Sequence, residues 1–314
     1  MKNALLGNQS PVTRLVFSIL LIISSFLVTF LIGLLLAGPL FGVDLFSSLE
    51  ILTDYSNPQA ISLLKYLQIV QSIGLFIIPP LLAGFFFERN TLKYLRIDKP
   101  SRPIIYLFTI AIMFAALPIV NWMVAVNEGM KLPQFLEGME NWMKSTEEEA
   151  ARLTEAFMNV KTTGGFLVNL LMIAVLPAIG EEFLFRGLLQ RLFAEWTKNI
   201  HIAIFLGALL FGAMHMQFYG IFPRMMLGVL FGYLFYWTGS IWIPVFAHFI
   251  NNASAVIVAF LANRGAISSG YEDFGSTNNI FLIIGSALIT GMILLIIYRI
   301  EKYGKITSPP GPLS

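Results

Sequence analysis

"PAIGEEFLFRGLLQRLF", residues 177–193, decides how this chain is read. Two adjacent glutamates, Glu181 and Glu182, and one arginine, Arg186, stand inside a long apolar stretch. An ionisable group near the centre of a membrane helix costs about 2.5–3.5 kcal/mol on insertion scales. A partner or a cavity must offset that cost. Glu182 and Arg186 lie four positions apart with the acid first, the favourable order for a pair on one helix face. Glu181 sits about 100° further round the helix, so Arg186 neutralises Glu182 and leaves Glu181 pointing elsewhere. The plainer reading makes all three one buried ion cluster that ties helices together.

The rest of the sequence agrees that lipid is the main solvent. Of 314 residues, 57% are hydrophobic and only 12% charged, and the mean hydropathy is +0.76, which does not describe a soluble protein. Cysteine is absent, which excludes disulfides, thiolate metal sites, cysteine nucleophiles and S-acylation. A net charge of +2 gives no basic surface for nucleic acid. The expected partners are a lipid bilayer and whatever acts within it.

A spanning helix needs about 20 largely apolar residues. Eight stretches come close: 15–36, 63–87, 104–126, 166–193, 201–216, 225–237, 241–261 and 280–300. The fifth and sixth are short, so seven is an alternative count. The first is longer than a signal-peptide core and lacks a small-residue cleavage site, so it is read as retained. The expected fold is all-α and polytopic.

Orientation follows from Lys and Arg, which favour short cytoplasmic loops. Lys2 and Arg14 precede the first span. Arg89, Lys93, Arg96, Lys99 and Arg102 follow the second, Arg191 and Lys198 the fourth, and Arg299, Lys302 and Lys305 the last. By alternation these share one face, expected to be cytoplasmic with both termini. The other face collects Asp44, Glu50, Asp54, Glu128, Glu137, Glu140, Glu147, Glu148, Glu149, Glu155, Glu272 and Asp273. Trp122, Trp196, Trp237 and Trp242 fall at span ends, and "WTGSIW" reads as a tight hairpin between two membrane helices.

One long segment, 127–164, separates spans three and four. Within it Ser145 and Glu148 have capping-box spacing, and Leu153, Phe157 and Val160 follow at helical intervals. An amphipathic helix on the outer interface is expected, with gating of lateral substrate entry as the functional alternative. The tail "TSPPGPLS", residues 307–314, reads as disordered. Three regions result: helices one to three with the outer segment (1–164), a polar-centred transmembrane core (165–262), and a last span with its tail (263–314).

The three histidines sharpen the picture. His201 lies at a membrane boundary and reads as interfacial. His215 ends "FGAMH", one turn after Phe211, and His248 opens "HFINN", one turn before Asn252. At 1.5 Å per residue from the cytoplasmic helix ends, Glu181, His215, His248 and Asn252 fall about 18, 21, 10 and 16 Å deep. A shared site is geometrically reasonable. Its chemistry is narrow, because GxSG serine, GxGD aspartyl and HExxH zinc patterns are all missing. What remains is water activated by a carboxylate, with an imidazole and a carboxamide to stabilise an oxyanion.

"EEFLFR" (Glu181 to Arg186), "FGAMH" and "HFINN", in this order on successive helices, resemble the three motifs of the CPBP intramembrane proteases, which include type II CAAX prenyl endopeptidases and bacterial Abi-like proteins. The resemblance covers roughly residues 166–261. It implies an endopeptidase of a bacterial cell membrane, acting on a membrane-associated or CAAX-like protein or peptide. Glu181 and His215 would activate the water, His248 and Asn252 would form the oxyanion hole, and Glu182 and Arg186 would be structural. Family members have been described both as glutamate proteases and as metalloproteases. No cofactor is required on the first reading; on the second, zinc would be held by Glu181, His215 and His248. Other uses of the same residues are a proton- or ion-coupled transporter and a non-catalytic immunity or scaffold protein.

Overall fold

The structure is a computed structural model that describes residues 4–42, 52–267 and 275–306. Lys2, Asp44, Glu50, Glu272, Asp273 and the tail 307–314 lie outside the described residues, as does the side chain of Lys305.

The described chain is all-helical: α1 (Pro11–Phe41), α2 (Pro58–Glu88), α3 (Pro103–Ala115), α4 (Leu117–Glu128), α5 (Glu137–Met158), α6 (Thr163–Thr197), α7 (Ile200–Ala213), α8 (Ile221–Thr238), α9 (Trp242–Asn263) and α10 (Ile280–Ile306). Six of the helices, with α8 taken from Phe218, are long and apolar enough to cross a membrane. The pair α3 and α4, bent by 43° at their junction, makes a seventh if counted as one span. Pro118 stands in the first turn of α4, where its missing N–H is harmless. The remaining expected span, the fifth, is α7, whose 14 residues reach only about 21 Å. Eight is therefore approximate.

Membrane-like surfaces are plain on α1 and α10. Leu20, Leu27 and Leu35 of α1 and Phe281, Leu288 and Met292 of α10 are exposed, as expected of faces solvated by lipid tails. The central helix is α6, where every residue from Gly180 to Gln190 is buried. A helix apolar on all sides belongs in the interior. Its Phe183, Leu184, Leu188 and Leu192 pack with Ala83 and Phe87 of α2, Phe211 of α7 and Val245 of α9.

Three stretches widen to π geometry: Ile73–Ile77 in α2, and Leu170–Val175 and Phe183–Leu189 in α6. The stretches at Ile73–Ile77 and Leu170–Val175 each precede a proline, Pro79–Pro80 or Pro177, whose ring cannot follow a regular turn. The hairpin at "WTGSIW" forms as expected. Gly239 ends α8 in the left-handed region, φ 65, which glycine adopts at little cost.

The amphipathic helix is present but starts earlier than Ser145. Helix α5 begins at Glu137, and Ser145 lies inside it with Oγ donating to the Trp142 carbonyl at 2.9 Å. Glu137 and Glu140 occupy the first turn, where carboxylates suit the helix dipole. Its C-terminus is fastened to the bundle. Lys65 Nζ donates to the Phe157 carbonyl at 2.9 Å and to Asn169 Oδ1 at 2.7 Å, and Asn169 Nδ2 donates to the same carbonyl at 2.7 Å. Asn263 Nδ2 donates to the Met158 carbonyl at 2.8 Å. Side chains from α2, α6 and α9 thus satisfy carbonyls that a helix end leaves open.

Candidate active site

Glu181 and Glu182 sit at the last turn of α6 before its second π stretch. Glu182 is fully buried and its Oε1 accepts from Arg186 Nη1 at 2.7 Å, the i,i+4 pair expected from the sequence. Arg186 Nη2 donates to the Gly228 carbonyl of α8 at 3.1 Å. The guanidinium lies 4.7 Å from the Phe211 ring centroid and 5.3 Å from that of Phe231, so aromatic faces surround the charge. Gly228 permits this arrangement: a Cβ there would stand 2.9 Å from both Cα and Cβ of Ala208. Small residues of this kind let membrane helices approach closely.

The same Glu182 Oε1 also holds His248 Nδ1 at 2.9 Å. A carboxylate paired with arginine can only accept, so Nδ1 carries a proton and Nε2 is the working nitrogen. His248 Nε2 lies 4.0 Å from Glu181 Oε2. Among the described residues, buried Glu181 Oε2 accepts no hydrogen bond, and neither does Glu182 Oε2. Buried carboxylate oxygens without partners are rare in folded proteins. The Phe231 ring stacks on His248, with centroids 5.4 Å apart and planes 24° apart.

His215 stands apart from this group. It lies just beyond α7 and is exposed, with Nδ1 donating to the Phe211 carbonyl at 2.9 Å. That bond leaves Nε2 free. Among the described residues it makes no hydrogen bond or ion pair with Glu181 or His248. The Phe211 ring contacts both imidazoles, at 5.3 Å from His215 and 5.8 Å from His248.

Asn252 is held by a backbone defect. Pro177 has no N–H to return to the Ile173 carbonyl four residues earlier, and Asn252 Nδ2 donates to that oxygen at 2.9 Å. Its Oδ1 accepts from Asn251 at 3.1 Å. One of the two Nδ2 protons is therefore engaged. His201 is exposed at the start of α7 and contacts Tyr233 Oη at 2.7 Å, away from the other two histidines.

The alternative reading places zinc among Glu181, His215 and His248. Tetrahedral ligands about 2.0–2.1 Å from zinc lie about 3.3 Å apart, against 4.0 Å for His248 Nε2 and Glu181 Oε2. Among the described residues no group of three His, Asp or Glu side chains is disposed to hold a metal ion.

Several supporting residues left no mark in the sequence. Arg224 of α8 donates to the carbonyl and side-chain oxygen of Gln217 and so braces the turn that follows His215. Asn127 of α4 bridges that turn to α8, donating to the Phe218 carbonyl at 3.0 Å and accepting from Phe222 N at 3.1 Å. Helix α5 closes over it, since Glu147 accepts from Tyr219 N at 3.3 Å and the Trp142 and Phe218 rings lie 5.2 Å apart. Beside the carboxylates an apolar crevice of about 260 Å³ opens between α3, α6 and α9, lined by Tyr106, Ala178, Ile179, Trp242, Val245 and Phe249 among others.

Comparison with known proteins finds a match over the segment that bears these residues. Residues 163–254 match the family described as "Type II CAAX prenyl endopeptidase Rce1-like". The matched segment contains all three motifs, Glu181 to Arg186, Phe211 to His215 and His248 to Asn252. Among curated proteins, "Uncharacterized protein YpbD" of Bacillus subtilis (strain 168) is 30% identical over 89 residues. The match covers 27% of this chain and 42% of that protein. No solved structure matches the chain.

Proposed function

We propose that this chain is a CAAX-type intramembrane endopeptidase that hydrolyses a peptide bond of a membrane-associated protein or peptide with water activated by Glu181. The observation that carries this reading is the division of labour between neighbouring carboxylates. Glu182 is occupied by Arg186 and His248, whereas Glu181 Oε2 is buried, unpartnered and 4.0 Å from His248 Nε2. A water between those two atoms lies within reach of both.

In the proposed reaction the Glu181 carboxylate takes a proton as the water oxygen bonds to the amide carbon. The carbonyl oxygen becomes an oxyanion. An oxyanion donor at His248 Nε2 requires the doubly protonated ring, whose charge Glu182 is placed to balance. Asn252 Nδ2, with one proton uncommitted, is the second donor. The C–N bond then breaks as Glu181 passes its proton to the leaving nitrogen, and acid and amine result. His215, with Nε2 free at the exposed end of α7, holds the entering water or substrate. The apolar crevice beside Ala178 and Ile179 suits an apolar substrate chain. No metal takes part in this mechanism.

The test is cleavage of a CAAX-like reporter peptide by the purified chain in proteoliposomes. Glu181→Gln and His215→Ala each abolish cleavage while the far-ultraviolet helical signal is unchanged. Retained turnover in either variant ends this mechanism. Prolonged treatment with a zinc chelator leaves the wild-type rate unchanged; loss that added zinc restores assigns a metal to the reaction.

A further inference from the structure

A second polar site lies at the opposite end of α6 from α5. A cavity of about 160 Å³ opens there, lined by Arg96, Gln190, Arg191, Ala194 and Tyr236 among others. Two guanidiniums face one space, and no carboxylate lies within ion-pair distance of either among the described residues. The nearby acids are already engaged: Glu88 with Lys93 at 3.0 Å, Asp98 with Lys99 at 4.0 Å, and Glu195 with Arg14. Arg191 stacks over the Tyr94 ring, 4.3 Å from its centroid, and its Nη1 is buried without a hydrogen-bond partner. Arg96 is held at φ 60, a left-handed conformation that residues other than glycine seldom adopt and that concentrates at functional sites. Burial and the neighbouring Arg191 charge push the Arg96 guanidinium below its ordinary value, the direction that a missing counter-anion produces.

Paired arginines with unsatisfied N–H groups match the oxygens of a phosphate. The cavity lies where α6 ends and the basic loop 89–102 begins, at the membrane boundary. Basic pockets between transmembrane helices at this level take the headgroups of anionic lipids. We propose that Arg96 and Arg191 form a binding site for the phosphate of an anionic phospholipid. The bound headgroup bridges the loop after α2 to the end of the site-bearing helix α6, and so ties lipid composition to the position of the helix that carries Glu181 and Glu182.

The experiment is native mass spectrometry of the detergent-solubilised full chain titrated with phosphatidylglycerol or phosphatidylcholine, with inorganic phosphate as a separate arm. Wild type retains phosphatidylglycerol in preference to phosphatidylcholine. Arg96→Gln and Arg191→Gln each weaken that retention about fivefold, and the double variant about 25-fold. Arg102→Gln, an exposed charge on the same loop, leaves it unchanged. Should Arg191→Gln fail to fold, Arg96→Gln, whose side chain is only half-buried, carries the test. Stabilisation by inorganic phosphate that is lost in Arg96→Gln, without any lipid preference, retains the phosphate site and makes its ligand free phosphate. Equal phosphatidylglycerol retention in wild type and both single variants, with no response to phosphate, overturns the proposal. Each outcome is independent of cleavage.

Discussion

Glu182 and His248 are joined by a hydrogen bond of 2.9 Å between Oε1 and Nδ1. That bond turns His248 Nε2 toward Glu181, so a residue expected only to steady a helix also selects which nitrogen of the histidine faces the open carboxylate. On the proposed reading, Glu182 takes the role that a buried carboxylate fills behind the catalytic imidazole of a Ser-His-Asp triad.

The two glutamates should respond oppositely to the same substitution. Glu182→Gln leaves the Arg186 charge buried without a counterion, at a cost of about 3–5 kcal/mol. Glu181→Gln removes a buried carboxylate whose Oε2 has no hydrogen-bond partner, so stability is unchanged or rises. Thermal unfolding of both variants in the same detergent checks this. A lower melting temperature for Glu181→Gln than for Glu182→Gln contradicts the assignment.

Gly228 is the contact that brings Arg186 to α8. Gly228→Leu cannot fit against Ala208 and should cost about 1–3 kcal/mol or more, with loss of cleavage because the Arg186 to Gly228 carbonyl bond is broken. Gly285→Leu on α10, where a Cβ meets nothing within 4 Å, serves as the control. Parallel measurement of melting and turnover distinguishes the two positions.

Helix α5 should carry a local acid sensitivity. The Lys144 hydrogen bond, and then that from Leu132 N, hold the Glu140 carboxyl below its ordinary value. A carboxyl lowered in the folded state contributes stability above its unfolded value and loses it as pH falls through the folded one. Amide exchange at Leu132, corrected for intrinsic rates, should therefore accelerate on acidification through that window, while the core of α6 stays protected. Glu140→Gln should abolish the pH dependence at Leu132.

How much of this was legible depended on the range of each interaction. Glu182 and Arg186 could be paired from sequence because four residues bring two side chains together on any helix. The bond from Glu182 to His248 crosses 66 positions and leaves no local pattern. Asn252 was legible as a polar residue one turn from His248, but its tie to Ile173 required knowing which helix lies opposite the gap left by Pro177. Lys65 escaped notice because a lysine near a span start looks like an ordinary boundary charge. Its partners, a carbonyl and an amide, carry no charge to betray it. Span number was clear where apolar runs were long and approximate where α7 and the bent α3–α4 pair departed from one straight helix per crossing. The start of α5 was misplaced because capping-box spacing also occurs inside helices.

The brevity of α7 has a consequence for hydration. About 21 Å of helix cannot cover a hydrocarbon layer of about 30 Å, and a short segment is accommodated by thinning of the surrounding bilayer. His215 stands at the end of α7, on the turn beneath α5. Thinning at that point would lower the aqueous boundary toward the buried carboxylates. Hydrolysis inside a membrane consumes one water for every bond broken, and a helix that stops early gives that water a shorter journey.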